Sequence, residues 1–410
     1  MERVDALVVG GGSAGLSVSH ELTQGGIEHL VLERGRIGQA WRDRWDSFCL
    51  VTPNWSVRLP GGAYRGDDPD GFLPRDEIAA HLERYAAGFG APVRSGVEVQ
   101  SVETAPDGFI ARTTGGDIAA RTVVAGSGTF GRPHRPAEAA SLPARLPTID
   151  LTAYRNPGAL PPGRVLIVGS GQSGCQLAEE LQEAGRDVVL SCGRAPWVTR
   201  RIGDKDVFWW LIETGYLSQP ASQLPSPAAR LNANPLTTGH GGGHDLHLRT
   251  LRAMGVTLVG RFRGADGHDA LFAPDLGESV AWGDARHADL AALIGRTAAR
   301  LGVPEPAFEA PPPFDPAAPE RVPLASLGVV VFTGGFRPNY RSWLPWDEAF
   351  DETGFPLQID GASTVVDGLF FIGTHFLRTR ASSILAGVGE DAVVVARQIA
   401  TRMGARALDA

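Results

Sequence analysis

Two short glycine runs are the residues in this sequence best suited to chemistry. Gly10-x-Gly12-x-x-Gly15 holds Ser13 and Ala14, and Gly169-x-Gly171-x-x-Gly174 holds Gln172 and Ser173. In such a run the first glycine permits a tight turn and the second lets a pyrophosphate approach the backbone. The third lets a helix pack closely on the preceding strand. The chemistry is binding rather than reaction, because free amides at the helix start face the phosphates of a dinucleotide.

Those glycines need a strand before them, a helix after them and a second strand beyond. The first unit supplies the apolar residues 6–9, then Leu16, Val18 and Leu22 at helical spacing, then the apolar residues 29–32. Glu33 ends that strand, 18 residues beyond Gly15, where a carboxylate accepts hydrogen bonds from a ribose. The second unit begins 159 residues later and repeats the plan, but ends in Ser191, followed by Arg194, Arg200 and Arg201. An acid at this point suits a ribose hydroxyl, whereas serine and arginine suit a 2′-phosphate. The first site is therefore expected to hold FAD or NAD, and the second NADP.

A chain of 410 residues exceeds one compact core, so two or three domains are expected. A net charge of −8 gives no electrostatic reason for nucleic acid or an anionic membrane as partner. The first strand begins within five residues of Met1, and no apolar stretch approaches the roughly 18 residues of a membrane span. Cys49, Cys175 and Cys192 form no CxxC, which argues against a redox-active pair beside a flavin. A reduced, cytoplasmic protein is the expectation.

Further along, residues 35–66 hold three tryptophans and five arginines and read as an ordered loop. Ile78, Leu82 and Tyr85 predict a helix from Asp76, and residues 96–102 and 109–112 alternate as strands. Residues 203–320 are hard to read, apart from an aromatic-anchored helix in 204–217. His240, His244 and His247 lack the carboxylate or cysteine spacing of a metal site. Strand-to-glycine signals recur at 328–335 and 368–373, before a C-terminal helix. The fold class is α/β, with two Rossmann-like dinucleotide-binding domains. Residues 161–320 are expected as an NADP domain inserted into a discontinuous FAD domain, 1–160 and 321–410.

Several segments resemble the class B flavin-containing monooxygenase family over nearly the whole chain. Gly38-Gln39-Ala40-Trp41-Arg42 resembles its GxxW flavin loop. Trp45-Asp46-Ser47, Thr52-Pro53 and Leu59-Pro60-Gly61 are similar to a bacterial branch of the family. Gly126-Ser127-Gly128-Thr129-Phe130 and Phe332-Thr333-Gly334-Gly335 stand at its ATG elements, and 368–373 at its last flavin-contacting strand. The FxGxxxHxxxY fingerprint is degenerate. Tyr154, Arg155, Asn156 and Pro157 fit, but Asp150 takes the histidine position, and Ala144 and Leu146 replace the aromatic and the glycine.

The resemblance implies FAD and NADPH as cofactors, O2 and a small molecule as substrates, and oxygen transfer through a C4a-hydroperoxyflavin. It implies flavin contacts from Gln39, Trp41, Arg42, Thr52, Gly128, Gly334 and Gly373, with Arg34 and Val99 added to the cofactor-binding set. It also marks Asn54, near the family's active-site asparagine, and Asp150 as candidate catalytic or hinge residues. Arg378 and Arg380, beyond the last strand, read as solvated surface. The alternatives are an NAD(P)H-linked flavin reductase without oxygen transfer, and a flavoprotein that signals its nucleotide occupancy to a partner.

Overall fold

A computed structural model describes residues 1–404 and shows each glycine run opening a helix at the end of a buried parallel strand. β1 (Glu2–Val9), α1 (Ser13–Gln24) and β2 (His29–Glu33) form the first unit, with Val9 opposite Leu32. α2 (Arg75–Gly88) buries Ile78, Leu82 and Tyr85, the residues whose spacing predicts it. β3 (Val93–Ser95) extends the sheet beyond β2. The hairpin β4 (Val99–Ala105) and β5 (Gly108–Thr113) leads into β6 (Ile118–Ala125), which lies parallel to β1 on its other side.

The second sheet is entirely parallel. It collects β7 (Thr148–Asp150), β8 (Arg164–Val168), β9 (Val188–Ser191), β10 (Thr257–Val259) and β11 (Leu327–Phe332), in the order β7-β11-β8-β9-β10. Helix α3 (Gln172–Glu183) follows β8, and α4 (Leu276–Leu301) precedes β11. The chain then returns to the first sheet. β12 (Leu369–Phe371) pairs parallel with the end of β6, and α5 (Val388–Met403) packs on α1. The sheet borders thus lie outside the expected limits of 161 and 320, because Thr148–Asp150 and Leu327–Phe332 are hydrogen-bonded into the second sheet.

Both faces of each sheet are covered, which explains why the strands read as unbroken apolar runs. Val165 and Ile167 pack with Leu177 and Leu181 of α3, while Leu166 and Val168 face Phe262, Phe272 and Phe332. In the first sheet Ala6 and Val8 meet α1 and α5, and Leu7 faces Phe109, Tyr340 and Phe350. The 26-residue helix α4 escaped sequence reading because Gly277, Gly283 and Gly295 interrupt its pattern. Those glycines are packing sites. A Cβ at Gly283 would lie 2.9 Å from the Ala195 carbonyl oxygen, and one at Gly295 would lie 2.6 Å from Glu305 Oε1.

Arg200 ties loops of the two units together. Only 1% exposed, it donates through Nη1 to Val51 O (2.7 Å) and Thr237 Oγ1 (2.6 Å), and lies 4.4 Å above the Phe72 ring. Its Nη2 pairs with the buried Asp206 at 2.7 Å. Burial lowers the Arg200 pKa, and the Asp206 carboxylate opposes that shift. Removing one member of such a pair strands the other charge, at a cost of about 3–5 kcal/mol. Arg200→Met is therefore expected to lower the urea midpoint of unfolding sharply, and Asp206→Asn added to it should restore part of the loss. A midpoint unchanged by Arg200→Met would contradict this role.

Candidate functional site

The first cradle is built by contacts that leave no room for side chains. Gly10 has φ +116°, and a Cβ there would lie 2.6 Å from the Gly126 carbonyl oxygen. At Gly15 a Cβ would lie 1.9 Å from the Gly10 carbonyl oxygen, so α1 and β1 approach more closely than alanine allows. Gly12 instead borders open space, with no atom within 4 Å of its Cβ position. Among the described residues no side chain caps α1, which leaves the first-turn amides at Ser13 and Ala14 without a capping acceptor. Glu33 Oε2 accepts from Gly11 N and Oε1 from Gly35 N, both at 2.8 Å. A carboxylate has about four acceptor positions, so two remain for ribose hydroxyls. Gly373, at the end of β12, comes so close to α1 that its Cβ would lie 2.5 Å from Ala14 Cβ. This arrangement fits an FAD pyrophosphate and ribose.

The residues around this cradle divide in their surroundings. Arg34 is exposed, and Gln39 Nε2 donates to Asp43 within the GxxW loop. Trp41 packs on Phe48, and Arg42 pairs with Glu83 at 2.8 Å. Thr52 is half-buried, next to the Val51 carbonyl that Arg200 holds. Val97 N donates to Glu33 O, while Val99 opens the β4 hairpin opposite Thr113. The backbone bonded to Glu33 O is thus that of Val97, two residues before Val99. Gly128 has φ +75° and open space at its Cβ position.

The second cradle repeats the first. Gly169 has φ +117°, and a Cβ at Gly174 would lie 1.9 Å from the Gly169 carbonyl oxygen. Thr333 backs this turn as Gly126 backs the other, its hydroxyl donating to Gly169 O at 2.8 Å. Gly171 is open but for Ala233 at 3.9 Å, and α3 has no side-chain cap. Ser170 Oγ, unnoticed in the sequence, accepts from Gly193 N at 2.9 Å and sets the loop bearing Arg194. Three expected contacts are otherwise engaged. Ser191 Oγ is buried between Gly260 O and Phe262 N. Gln172 is bonded through both ends of its amide to the Thr237 backbone. Arg200 is locked on Asp206, so it is not free to read a 2′-phosphate. Exposed Arg194 and Arg201 remain for that role, and Ser173 stays half-buried at the helix start. Gly334 is exposed beside His134.

The candidate catalytic residues have structural partners. Asn54 is buried, with Nδ2 donating to Asp68 O and Oδ1 accepting from Leu73 N at 2.7 Å, and it clamps a loop. Asp150 ends β7 and accepts from Arg135 Nε at 2.6 Å; its side chain caps no helix. The fingerprint segment couples the two units. Asn156 Nδ2 donates to Asp46, Arg155 Nη1 to Asp43 O, and Asp46 N to Arg155 O. His240 and His244 pair with Glu183 and Glu179 on α3, and His247 caps the helix Leu248–Ala253.

Sequence reading passed over a group where the GxxW loop meets the ends of β6 and β12. Arg44 lies 5.5 Å from the Phe48 ring centroid and 5.1 Å from that of Phe130. Phe130 also meets His375 edge-on at 5.4 Å and Phe336 at 5.5 Å. His375 Nδ1 is 2.8 Å from Ser383 Oγ, and burial lowers the imidazole pKa to about 4, which keeps the ring neutral. Ligands of parallel sheets gather at this carboxyl edge. The signal in the sequence was Gly373-Thr374-His375 directly after the last strand.

Residues 7–211 match the family described as Pyridine nucleotide-disulphide oxidoreductase. The uncharacterized oxidoreductase CzcO-like of Geobacillus kaustophilus is 31% identical over 95% of this chain and 96% of its own length. Flavin-containing monooxygenase 3 of Macaca mulatta is 26% identical over 50% of this chain, which spans 43% of that protein. A flavin-containing monooxygenase structure from Stenotrophomonas maltophilia superposes with a TM-score of 0.67 at 20% identity, covering 98% of this chain and all of that one. The chain belongs to the pyridine nucleotide-disulphide oxidoreductase family, as a flavin-dependent oxidoreductase of its class B monooxygenase-like kind.

Proposed function

We propose that the protein holds FAD in the Gly10–Gly15 cradle and NADPH in the Gly169–Gly174 cradle, and transfers one atom of O2 to a small-molecule substrate. The observation that carries this reading is the pair of uncapped, glycine-backed helix starts in one chain, one closed by Glu33 and the other bordered by exposed Arg194. When bound, FAD supplies the redox chemistry, accepting hydride from the nicotinamide and passing electrons to O2.

The chain's own residues bind, orient and exclude water. First-turn amides of α1 and α3 meet the two pyrophosphates, and Glu33 accepts from the FAD ribose. Arg194 supplies a bidentate donor for the 2′-phosphate. Asp150, through Arg135, and the 154–156 segment hold the units in register, while Asn54 fixes the loop below the GxxW segment. Trp41 packs on Phe48, and Phe130 on Phe336, which supplies the apolar surface that a reaction sensitive to water requires. Cys175 and Cys192 are fully buried in the second core, and burial pushes both thiols far above the ordinary range. Thiolate chemistry has no ready nucleophile in either, which favours oxygen transfer over disulphide reduction.

Gly12→Asp is expected to yield colourless protein, since its carboxylate would occupy the open space above α1; full yellow occupancy would refute the FAD assignment. Gly171→Asp should keep the flavin while raising the NADPH Kd more than tenfold in fluorescence titration. Arg194→Ala should raise the NADPH KM roughly tenfold, from loss of a charged hydrogen bond of about 1.5–3 kcal/mol, and leave the NADH KM unchanged. Arg194→Ala shifting both cofactors equally would remove it from phosphate recognition. With NADPH and isotopically labelled O2, a sulfide or ketone acceptor should gain one labelled oxygen. Complete recovery of the electrons as peroxide across such acceptors would favour the reductase alternative.

A further inference from the structure

The buried contact between the two units is continuous with the second cradle. Gln172 is the first residue of α3, and both ends of its amide bond the Thr237 backbone, Thr237 N donating to Oε1 at 3.1 Å. The Thr237 hydroxyl in turn accepts from Arg200 Nη1 at 2.6 Å. The same Nη1 donates to Val51 O at 2.7 Å, in the loop of the first unit that carries Thr52. An unbroken path of hydrogen bonds thus runs from the helix start of one cradle to a loop of the other unit. Thr237 is the link that meets both Gln172 and Arg200.

The segment around Thr237 holds a fixed spacing. Two residues on, a Cβ at Gly239 would lie 2.0 Å from Leu50 O and 2.6 Å from Phe72 Cγ, so the backbones of the two units meet directly. One residue before, the buried Leu236 donates from its N to Pro196 O at 2.8 Å. Further on, Asp245 Oδ1 accepts from Arg200 N at 2.6 Å, which returns the segment to the same arginine. A chain of hydrogen bonds transmits position, because a shift at one end leaves a polar group unpaired at the other. Without the Thr237 hydroxyl, Arg200 still has Asp206 and Val51, so the hydroxyl contributes alignment more than folding.

We propose that Thr237 is a positioning residue for hydride transfer: through Gln172 and Arg200 its hydroxyl sets the distance between the nucleotide on α3 and the flavin. In that step a hydride leaves NADPH with both electrons of its C–H bond, giving NADP⁺ and FADH⁻. A misplacement of about 1 Å can cost such a step about a hundredfold in rate. Thr237 acts through two other side chains and takes no part in bond making. This rests on the reading that NADPH on α3 reduces FAD on α1, and it is independent of whether the reduced flavin then transfers oxygen.

The test uses the flavin-loaded protein without O2. Thr237→Val keeps the side-chain shape and removes the hydroxyl, whereas Thr237→Ser keeps the hydroxyl. Rapid mixing with NADPH over a range of concentrations separates the dissociation constant from the limiting rate of flavin bleaching. Thr237→Val should lower that rate at least about tenfold and leave the dissociation constant within about twofold of the wild type. Thr237→Ser should restore the rate. A second readout needs no turnover: NADP⁺ is added to dithionite-reduced protein, and the long-wavelength absorbance of the stacked rings is recorded. That band should weaken in Thr237→Val and return in Thr237→Ser. A wild-type rate or an undiminished band in Thr237→Val, weakened NADPH affinity with an unchanged rate, or a slow Thr237→Ser would overturn the proposal. Loss of flavin from Thr237→Val would overturn it too, and assign the residue to folding. If NADPH bleaches the wild type no faster than it bleaches Gly171→Asp, the cofactor reading has failed and the proposal with it. Fast bleaching of the wild type and Thr237→Val alike fails the positioning role alone.

Discussion

The structure depends on the approach of a helix to the strand before it. At Gly15 and again at Gly174 a single methyl group would stand 1.9 Å from a carbonyl oxygen of the same turn. Each contact fixes the direction in which a helix start points, and each turn is braced from behind by another crossover, at Gly126 in one case and Thr333 in the other. The bracing strands β6 and β11 lie next to β1 and β8 in their sheets, so the sheets themselves set the aim of the amides. Substrate-side loops could vary widely around such a frame without moving the two cradles.

Between the frames, several polar contacts join the two units. Arg200 joins the second unit to Val51 and Phe72 of the first, and Asn156 and Arg155 clasp Asp46 and Asp43. The degenerate fingerprint is intelligible in this setting. Asp150 pairs with Arg135 and so holds β7 at the junction, a task that needs a side chain able to meet an arginine rather than a histidine in particular. A buried charge at such a junction favours one registration of the units over alternatives, because a shifted arrangement would take Val51 O and the Phe72 ring away from Arg200.

Strand-glycine-helix geometry is local, and for that reason both glycine turns and the place of Glu33 at a strand end were legible in the sequence. What was lost depends on partners distant in the chain. Ser191, Gln172 and Arg200 had suitable types and spacing for a nucleotide, but Gly260, Thr237 and Asp206 occupy them. Asn54 carries the expected residue type near the expected place, yet its amide serves Asp68 and Leu73. Helix α4 was hidden by three glycines that make sense only with Ala195, Glu305 and Pro316 in view. Arg44 was one of five arginines in a loop, and only its place between the Phe48 and Phe130 rings distinguishes it.

The central claim is that one chain holds two nucleotides on two equivalent helix starts. A crystal structure of the protein with FAD and NADP⁺ together tests it most directly. The account predicts the FAD pyrophosphate on the amides of α1 with its ribose on Glu33, NADP⁺ on α3 with its 2′-phosphate near Arg194, and both reactive rings beside Gly373 and Phe130. Both nucleotides bound at one cradle, or a flavin ring remote from Gly373, would contradict it.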